Sequence, residues 1–156
     1  METCTIATRN REEMLDITDR VRAVVREKGW KRGAVALFCP HTTCGLTINE
    51  GADPDVRRDM TAFFSRLVPL RDGWRHAEGN SDAHIKASLM GPSLFVIVED
   101  GELRLGTWQS LYLYAGDGPR TRSVWLQWLP GSASPDGEGG PLGTGTERAS
   151  GQGSGQ

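Results

Sequence analysis

The stretch "SLFVIVEDGELRL" (93–105) decides the fold class of this 156-residue chain. Two runs rich in apolar and β-branched residues, 93–99 and 102–105, flank the dipeptide Asp100-Gly101. Asp-Gly between strand-like runs is a strong hairpin signal, because both residues tolerate the left-handed backbone of a tight turn. The stretch therefore predicts an antiparallel hairpin. Two later runs continue the series of strands, at 107–114 and 122–129.

The rest of the folded sequence mixes strand-like and helical patterns. Three apolar or β-branched runs predict strands, at 3–8, 34–39 and 45–49. Three segments with helical periodicity or end signals predict helices, at 16–29, 53–67 and 80–90. Asp53 followed by Pro54 is a favourable helix start, and Asn80 or Ser81 can cap the third helix. Seven or eight strands with two or three short helices predict a mainly-β, α+β domain, a jelly-roll-like β-sandwich.

Composition divides the chain into a domain, 1–130, and a Gly/Ser-rich tail, 131–156. The tail holds nine of the 20 glycines and a single large aliphatic residue, Leu142. Such a segment buries too little apolar surface to offset its ordering entropy, so we expect it to be disordered. Its three acidic residues and one arginine give it the chain's whole net charge of −2, which leaves the domain formally neutral. A neutral domain argues against a nucleic-acid partner, because it lacks a broad basic field.

No apolar run reaches membrane-spanning length, and the N-terminus shows no signal-peptide pattern. We therefore expect a cytoplasmic protein without a membrane partner. Three cysteines without a secretion signal fit reduced thiols better than a disulfide framework. Cys39 and Cys44 flank His41 in "CPHTTC" (39–44) and read most simply as small core residues, although a Cys–His nucleophile pair is compatible with the spacing.

The three histidines all lie in polar surroundings. His41 follows a strand, and His76 and His84 lie in "RHAEGNSDAHIKAS" (75–88). Neutral imidazoles are good zinc ligands, and catalytic zinc sites often use three protein ligands and one water. The spacings match neither a zinc finger nor a HExxH helix, so each histidine also has a simpler interpretation as a half-buried or loop side chain.

Two predicted helix starts, near Asp53 and Ser81, offer backbone N–H groups to an anion. Lys86 and Arg120 could add positive charge for a phosphate. Asp82 could equally be an ordinary helix-start charge. Its carboxylate would repel a phosphate unless a metal ion bridged the carboxylate and the phosphate. Two other polar candidates have simpler alternatives: Glu50 as a solvated loop residue and Gln109 as a half-exposed strand residue.

Four longer motifs resemble one known family. They are "HTTCGLTINEGADPDVRRDM", "WRHAEGNSDAHIKASLMGPS", "EDGELRLGTWQSLYL" and "DGPRTRSVWLQ". Together they resemble the YjbQ family of secondary thiamine-phosphate synthase enzymes, in order over nearly all of residues 4–129. The resemblance implies a β-sandwich that forms a homotrimer. The chain departs from many relatives at Ala115, where they have Glu, and at Gly51, where they often have Asn.

The resemblance also implies a site. His41, His76 and His84 match the family's motif histidines and would gather near a subunit boundary around a divalent metal, zinc or, with a pyrophosphate substrate, magnesium. The implied reaction joins a pyrimidine pyrophosphate to a thiazole phosphate and releases pyrophosphate. We expect catalytic roles for Glu50, Asp82 and Lys86, and ligand-binding roles for Asn80, Gln109 and Arg120. The alternative function is a non-catalytic trimeric module that binds a metal or a phosphate.

Overall fold

The computed structural model describes residues 1–132. The predicted tail therefore falls outside the described residues, apart from its first two positions. The described residues form eight strands: β1 (Glu2–Ala7), β2 (Glu13–Asp16), β3 (Gly33–Phe38), β4 (Cys44–Glu50), β5 (Ser93–Glu99), β6 (Glu102–Leu103), β7 (Gln109–Ala115) and β8 (Thr121–Pro130). Three helices lie between them: α1 (Thr18–Glu27), α2 (Pro54–Leu67) and α3 (Ser81–Met90).

The strands form two antiparallel sheets, which confirms the predicted mainly-β, α+β sandwich. The larger sheet has the order β1-β8-β3-β5-β6 and the smaller one the order β2-β7-β4. The first strand pairs with the last and the second with the seventh, which is the rolled-up winding of a jelly roll. No helix within residues 1–132 combines the length and apolar character that a membrane crossing needs.

The predicted hairpin is present and joins β5 to β6. Val98 pairs with Leu103 and Glu99 with Glu102. Asp100 and Gly101 both have positive φ angles, 55° and 79°. This is the backbone of the tight turns whose twist matches the right-handed twist of paired strands.

The core lies between the two sheets. Its fully buried side chains come from inward positions of the central strands, among them Val35, Leu37, Leu46, Leu113 and Leu126. Helices α2 and α3 pack on the smaller sheet. The outer face of the larger sheet carries exposed apolar side chains instead: Phe38, Phe95, Ile97, Trp125 and Leu129.

Three local details differ from the sequence prediction. Strand β2 was not predicted, because "EMLD" is short and half charged and its strand conformation depends on pairing with β7. Strand β7 begins at Gln109, two residues after the predicted start, so Trp108 precedes the strand and is 64% exposed. Asn80 precedes α3 but makes no side-chain cap bond. Asp53 does cap α2, accepting the Asp55 N–H at 2.9 Å.

Candidate functional site

Two adjoining cavities lie where the loop between β3 and β4 meets the start of α3. The apolar cavity has a volume of about 700 Å³. The polar cavity has a volume of about 260 Å³. Both are lined by Pro40, His41, Thr42 and His84. The apolar cavity adds aromatic, proline and thiol side chains: Phe38, Trp125, Pro92, Cys39 and Cys44. The polar cavity adds charged and amide side chains: Glu78, Asn80, Asp117, Arg120 and Arg122.

His41 lies at the junction of the two cavities. Its Nε2 accepts the backbone N–H of Ser123 at 2.9 Å, which assigns the proton of the neutral ring to Nδ1. Burial lowers the pKa of His41 below its usual value, and the nearby Arg122 guanidinium lowers it further. His41 therefore presents a neutral N–H donor, which suits a hydrogen bond to an anion better than coordination of a cation.

His76 and His84 lie next to each other, with ring centroids 5.4 Å apart and nearly perpendicular planes. They line a third cavity together with Trp74. His76 also lies 3.8 Å from a carboxylate oxygen of Glu78. His84 is thus the middle member of the three histidines, since it shares one cavity with His76 and two with His41.

Arg122 is the most informative charge in the polar cavity. Arg122 is 5% exposed. Its Nη2 donates to the Thr43 hydroxyl at 2.9 Å and to the Asp117 carbonyl at 3.3 Å. Its Nε has no hydrogen-bond partner, and among the described residues no carboxylate forms an ion pair with its guanidinium. A buried cation without a counterion is costly, so the position favours an anionic ligand.

The Asn80 amide is oriented by a neighbouring carboxylate. Its Nδ2 donates to Asp117 Oδ2 at 2.9 Å, which leaves Oδ1 buried and without a partner among the described residues. Arg120 pairs with the same Asp117 oxygen at 3.0 Å. Asp117 therefore holds two of the three predicted ligand-binding residues, Asn80 and Arg120, at the edge of the polar cavity.

Asp82 and Lys86 lie elsewhere, in a group of buried and partly buried polar side chains that we call the ion cluster: Arg11, Glu12, Asp82, Lys86 and Tyr114. Arg11 binds both oxygens of Asp82, at 3.0 and 2.8 Å. Lys86 bridges Asp82 at 3.3 Å and Glu12 at 2.9 Å, and Tyr114 donates to Glu12 at 3.2 Å. Asp82 is 0% and Lys86 1% exposed. Neither lines the polar or the apolar cavity.

The surroundings of the ion cluster shift the pKa values of Asp82 and Tyr114 in opposite directions. Burial by itself raises the pKa of Asp82, but the hydrogen bonds and charges of Arg11 and Lys86 outweigh burial and hold that pKa below its usual value. Burial and the adjacent Glu12 carboxylate raise the pKa of Tyr114. The cluster connects α3 to Tyr114 of β7 through Glu12 and so stabilises the packing of α3 on the smaller sheet.

Glu50 and Gln109 lie at the opposite end of the smaller sheet. They face each other in the β4–β7 register, whereas Cys44 at the cavity end of β4 faces Ala115. Six residues of strand separate the two ends by about 20 Å. The Glu50 carboxylate accepts two backbone N–H groups before α2, and Gln109 accepts the Gly106 N–H at 2.8 Å. Within one chain, neither lines the two adjoining cavities.

The two cysteines of "CPHTTC" form part of the wall of the apolar cavity, and both are buried. A hydrogen bond with Cys44 lowers the pKa of Cys39 to about 7, against the opposing effect of burial. The same hydrogen bond and burial raise the pKa of Cys44. The sequence interpretation as core residues is correct for burial, since both belong to the core cluster, but it missed their contact with a cavity.

Sequence reasoning missed Arg122 as a site residue. A signal was present, because strand alternation places Arg122 on the same face as Val124 and Leu126, which are buried. A charged residue at an inward position of a strand is expected to have a partner or a ligand. The ion cluster had no such signal, because Arg11 and Glu12 lie about 70 residues from α3 in sequence.

Comparison with known proteins identifies the family. A family model described as UPF0047 protein YjbQ-like matches residues 2–131. The chain belongs to the YjbQ-like UPF0047 family. It is similar to the UPF0047 protein YugU of Bacillus subtilis, with 48% identity over 130 residues, 83% of this chain and 98% of the relative. The UPF0047 protein MJ1081 of Methanocaldococcus jannaschii is 46% identical over 122 residues, 78% of this chain and 88% of the relative.

Solved family structures have the same fold. A crystal structure of a YjbQ/UPF0047 family protein from Clostridium acetobutylicum superposes with a TM-score of 0.80 at 46% identity, covering 83% of this chain and all of that one. The conserved hypothetical protein TT1486 of Thermus thermophilus gives a TM-score of 0.77 at 44% identity, with the same coverage.

Proposed function

We propose that this chain is a cytoplasmic enzyme that acts on a small phosphorylated substrate, with thiamine phosphate synthesis as the candidate reaction. The observation that carries the proposal is the buried Arg122 guanidinium, which lines the polar cavity without a carboxylate partner among the described residues. A phosphate would supply the missing counterion through charge-assisted hydrogen bonds. The nearby Arg120 and the His41 ring could donate to the same anion.

The adjoining apolar cavity supports a substrate with a ring. Phe38, Pro92 and Trp125 line it, and it shares His41 and His84 with the polar cavity. Binding sites for small molecules commonly combine apolar walls with a few oriented polar groups. A heterocycle in the apolar cavity would thus carry its phosphates toward Arg120 and Arg122.

In the proposed reaction, the bond between the pyrimidine methylene carbon and the pyrophosphate oxygen breaks. The electron pair leaves with the pyrophosphate, and the thiazole nitrogen forms the new bond to carbon. Negative charge grows on the leaving oxygens, so oriented guanidinium groups stabilise the transition state more than the ground state. Arg122 and Arg120 are the groups of this chain that suit that role.

A metal ion would supply Lewis-acid stabilisation of the leaving pyrophosphate. Within residues 1–132, however, no three His, Cys, Asp or Glu side chains are grouped as metal ligands would be. His41 Nε2 already accepts a backbone N–H, which leaves no free lone pair on the neutral ring. The three histidines as arranged in one chain therefore do not fit a zinc centre, and we assign no step to a metal. Zinc or magnesium binding stays a prediction, checked by elemental analysis of wild type and His84→Ala.

The homotrimer also belongs to this proposal. The exposed apolar face of the larger sheet includes Phe95 and Ile97, which are 61% and 59% exposed. It continues through Phe38 and Trp125, which stack on each other and line the apolar cavity. A second copy packed on this face would both bury it and close the cavity, and could bring Glu50 or Gln109 of another subunit to the site. Sedimentation equilibrium of the full chain tests the trimer.

The alternative is a trimeric module that binds a phosphorylated ligand or a metal without turning it over. The departure at Ala115 favours this alternative, because Ala115 faces Cys44 beside the apolar cavity and is fully buried. A Glu there, as the family resemblance implies for many relatives, would add a carboxylate that this chain lacks.

The experiment is calorimetric titration of the full chain with pyrophosphate, followed by an assay of both thiamine precursors for product. Arg122→Met should weaken pyrophosphate binding at least about tenfold, the loss of roughly one charge-assisted contact. The exposed Arg104→Met is the matched control and should bind like wild type. Binding with product formation supports the enzyme, and binding without product supports the module. No binding by wild type rejects both phosphate proposals.

A further inference from the structure

The loop "CPHTTC" (39–44) brings two thiols together at the edge of the sandwich. Cys39 follows β3 of the larger sheet, and Cys44 begins β4 of the smaller one. Both side chains belong to the same buried core cluster, line the same cavity and are 2% exposed. A disulfide needs an S–S bond of about 2.05 Å, and two thiols that flank one six-residue segment and share one cavity wall are placed to form it.

The backbone on both sides of the thiols is held in place. The Cys39 N–H donates to the Pro92 carbonyl at 2.8 Å, and the Thr43 carbonyl accepts the Gly116 N–H at 3.0 Å. Cys44 itself pairs with Ala115 in the β4–β7 ladder. The juxtaposition of the two thiols is therefore a product of the sheet architecture and does not depend on a freely moving loop.

Both thiols also have a route to small molecules. Each lines the apolar cavity of about 700 Å³. Cys4 provides the contrast within the same chain, since it is buried on β1 but lines none of the cavities described above. The cavity thus distinguishes a reachable pair of thiols from an isolated core thiol.

We propose that Cys39 and Cys44 form a redox pair, which a hydroperoxide entering the apolar cavity oxidises to an intramolecular disulfide. The Cys39 sulfur loses its proton and attacks the hydroperoxide, the O–O bond breaks, and Cys39 becomes a sulfenic acid while the remaining oxygen leaves as an alcohol or as water. The Cys44 sulfur then displaces the hydroxyl, which leaves as water with the Cys44 proton. The two thiols lose two electrons and two protons, and the hydroperoxide gains both.

The disulfide would close the loop that holds His41 and Thr43. Thr43 accepts a hydrogen bond from Arg122, so oxidation acts on the segment that forms the junction of the two cavities. Transient disulfides of this kind occur in reducing compartments as redox-sensing devices. The inference does not depend on which ligand the cavities bind.

The chain offers a direct test by peptide mass spectrometry. Trypsin places Cys39 and Cys44 together on the peptide 33–57, and Cys4 on the peptide 1–9. The folded full-length protein is treated with hydrogen peroxide, quenched, denatured and alkylated before digestion. We expect peptide 33–57 to escape alkylation and to lose the mass of two hydrogen atoms, and dithiothreitol to restore both thiols. Cys4 should remain alkylated throughout.

Variants separate the steps. Cys4→Ser should behave like wild type at 33–57, whereas Cys44→Ser should leave Cys39 as a sulfenic acid that dimedone traps. Circular dichroism checks that each variant is folded. If a variant does not fold, the wild-type experiment decides the proposal by itself. Peptide 33–57 that stays doubly alkylated would overturn the pair, as would oxidation no faster than that of Cys4 or disulfides formed only between chains.

Discussion

Two groups of buried polar residues on opposite faces of α3 differ in whether their charges are paired. In the ion cluster, Asp82, Lys86 and Glu12 each contact an opposite charge within 3.3 Å. In the polar cavity, Arg122 has only neutral partners among the described residues, and Asn80 has a buried oxygen without any. Because buried charges are stable only when paired, the first group stabilises the fold and the second is suited to a ligand. Four predictions test this contrast.

The largest effect is expected at Lys86. The substitution Lys86→Met keeps much of the volume but leaves Glu12 and Asp82 without their shared cation, which should lower the free energy of unfolding by about 3–5 kcal/mol. Urea unfolding followed by circular dichroism measures it. Lys31→Met, at an exposed position, should change the free energy by less than about 0.5 kcal/mol. If Lys86→Met lowers the free energy of unfolding by less than about 1 kcal/mol, as for a surface ion pair, the ion cluster does not stabilise the fold as we expect.

Arg122→Met should affect ligand binding strongly and stability only slightly, unlike Lys86→Met. Replacing an unpaired buried cation by an apolar side chain is expected to change the free energy of unfolding by less than about 1 kcal/mol. Wild type should instead be stabilised by pyrophosphate, by about 2.7 kcal/mol at a hundredfold excess over Kd, and the variant should not. Thermal unfolding with and without pyrophosphate measures both. A variant as unstable as Lys86→Met would show that Arg122 is a structural charge.

Acid should weaken the ion cluster. The folded-state pKa of Asp82 lies below its unfolded value of about 3.9, so Asp82 binds fewer protons in the folded state. Its contribution is complete above the unfolded pKa and is lost as the pH falls through the folded pKa. Urea unfolding between neutral pH and pH 3 should show this decline. Asp82→Asn should flatten it, whereas Asp19→Asn, on the solvent side of α1, should not.

The smallest effect concerns His41. Its folded pKa is lowered, so the ring stays neutral below the usual value of about 6.5, and its contribution to stability falls only as the pH drops from there through the folded pKa. Nitrogen-detected NMR of the imidazole should show the proton on Nδ1 at neutral pH. A proton on Nε2 would contradict the hydrogen bond from Ser123, and a pKa at or above the unfolded value would contradict its buried setting.

The sequence predicted the strands and helices whose signals are local. The Asp100-Gly101 turn and the Asp53-Pro54 helix start are confirmed, because each is fixed by the backbone preferences of adjacent residues. Strand β2 was missed because its conformation comes from pairing with β7, about 100 residues away. Four of the predicted metal and ligand residues line one cavity: His41, His84, Asn80 and Arg120.

By itself, then, the sequence determined the sandwich class and the family, and it predicted that His41 and His84 belong to one polar site. Only the tertiary structure decided which charges are paired. In the sequence, Asp82 and Lys86 resemble an ordinary ion pair on a helix surface. In the fold, Arg11 and Glu12 contact them and they are buried. Arg122 looks like an ordinary strand residue, yet it is buried without a counterion among the described residues. The physical reason is that the cost or benefit of a charge depends on its burial and its partners, which residues distant in sequence supply.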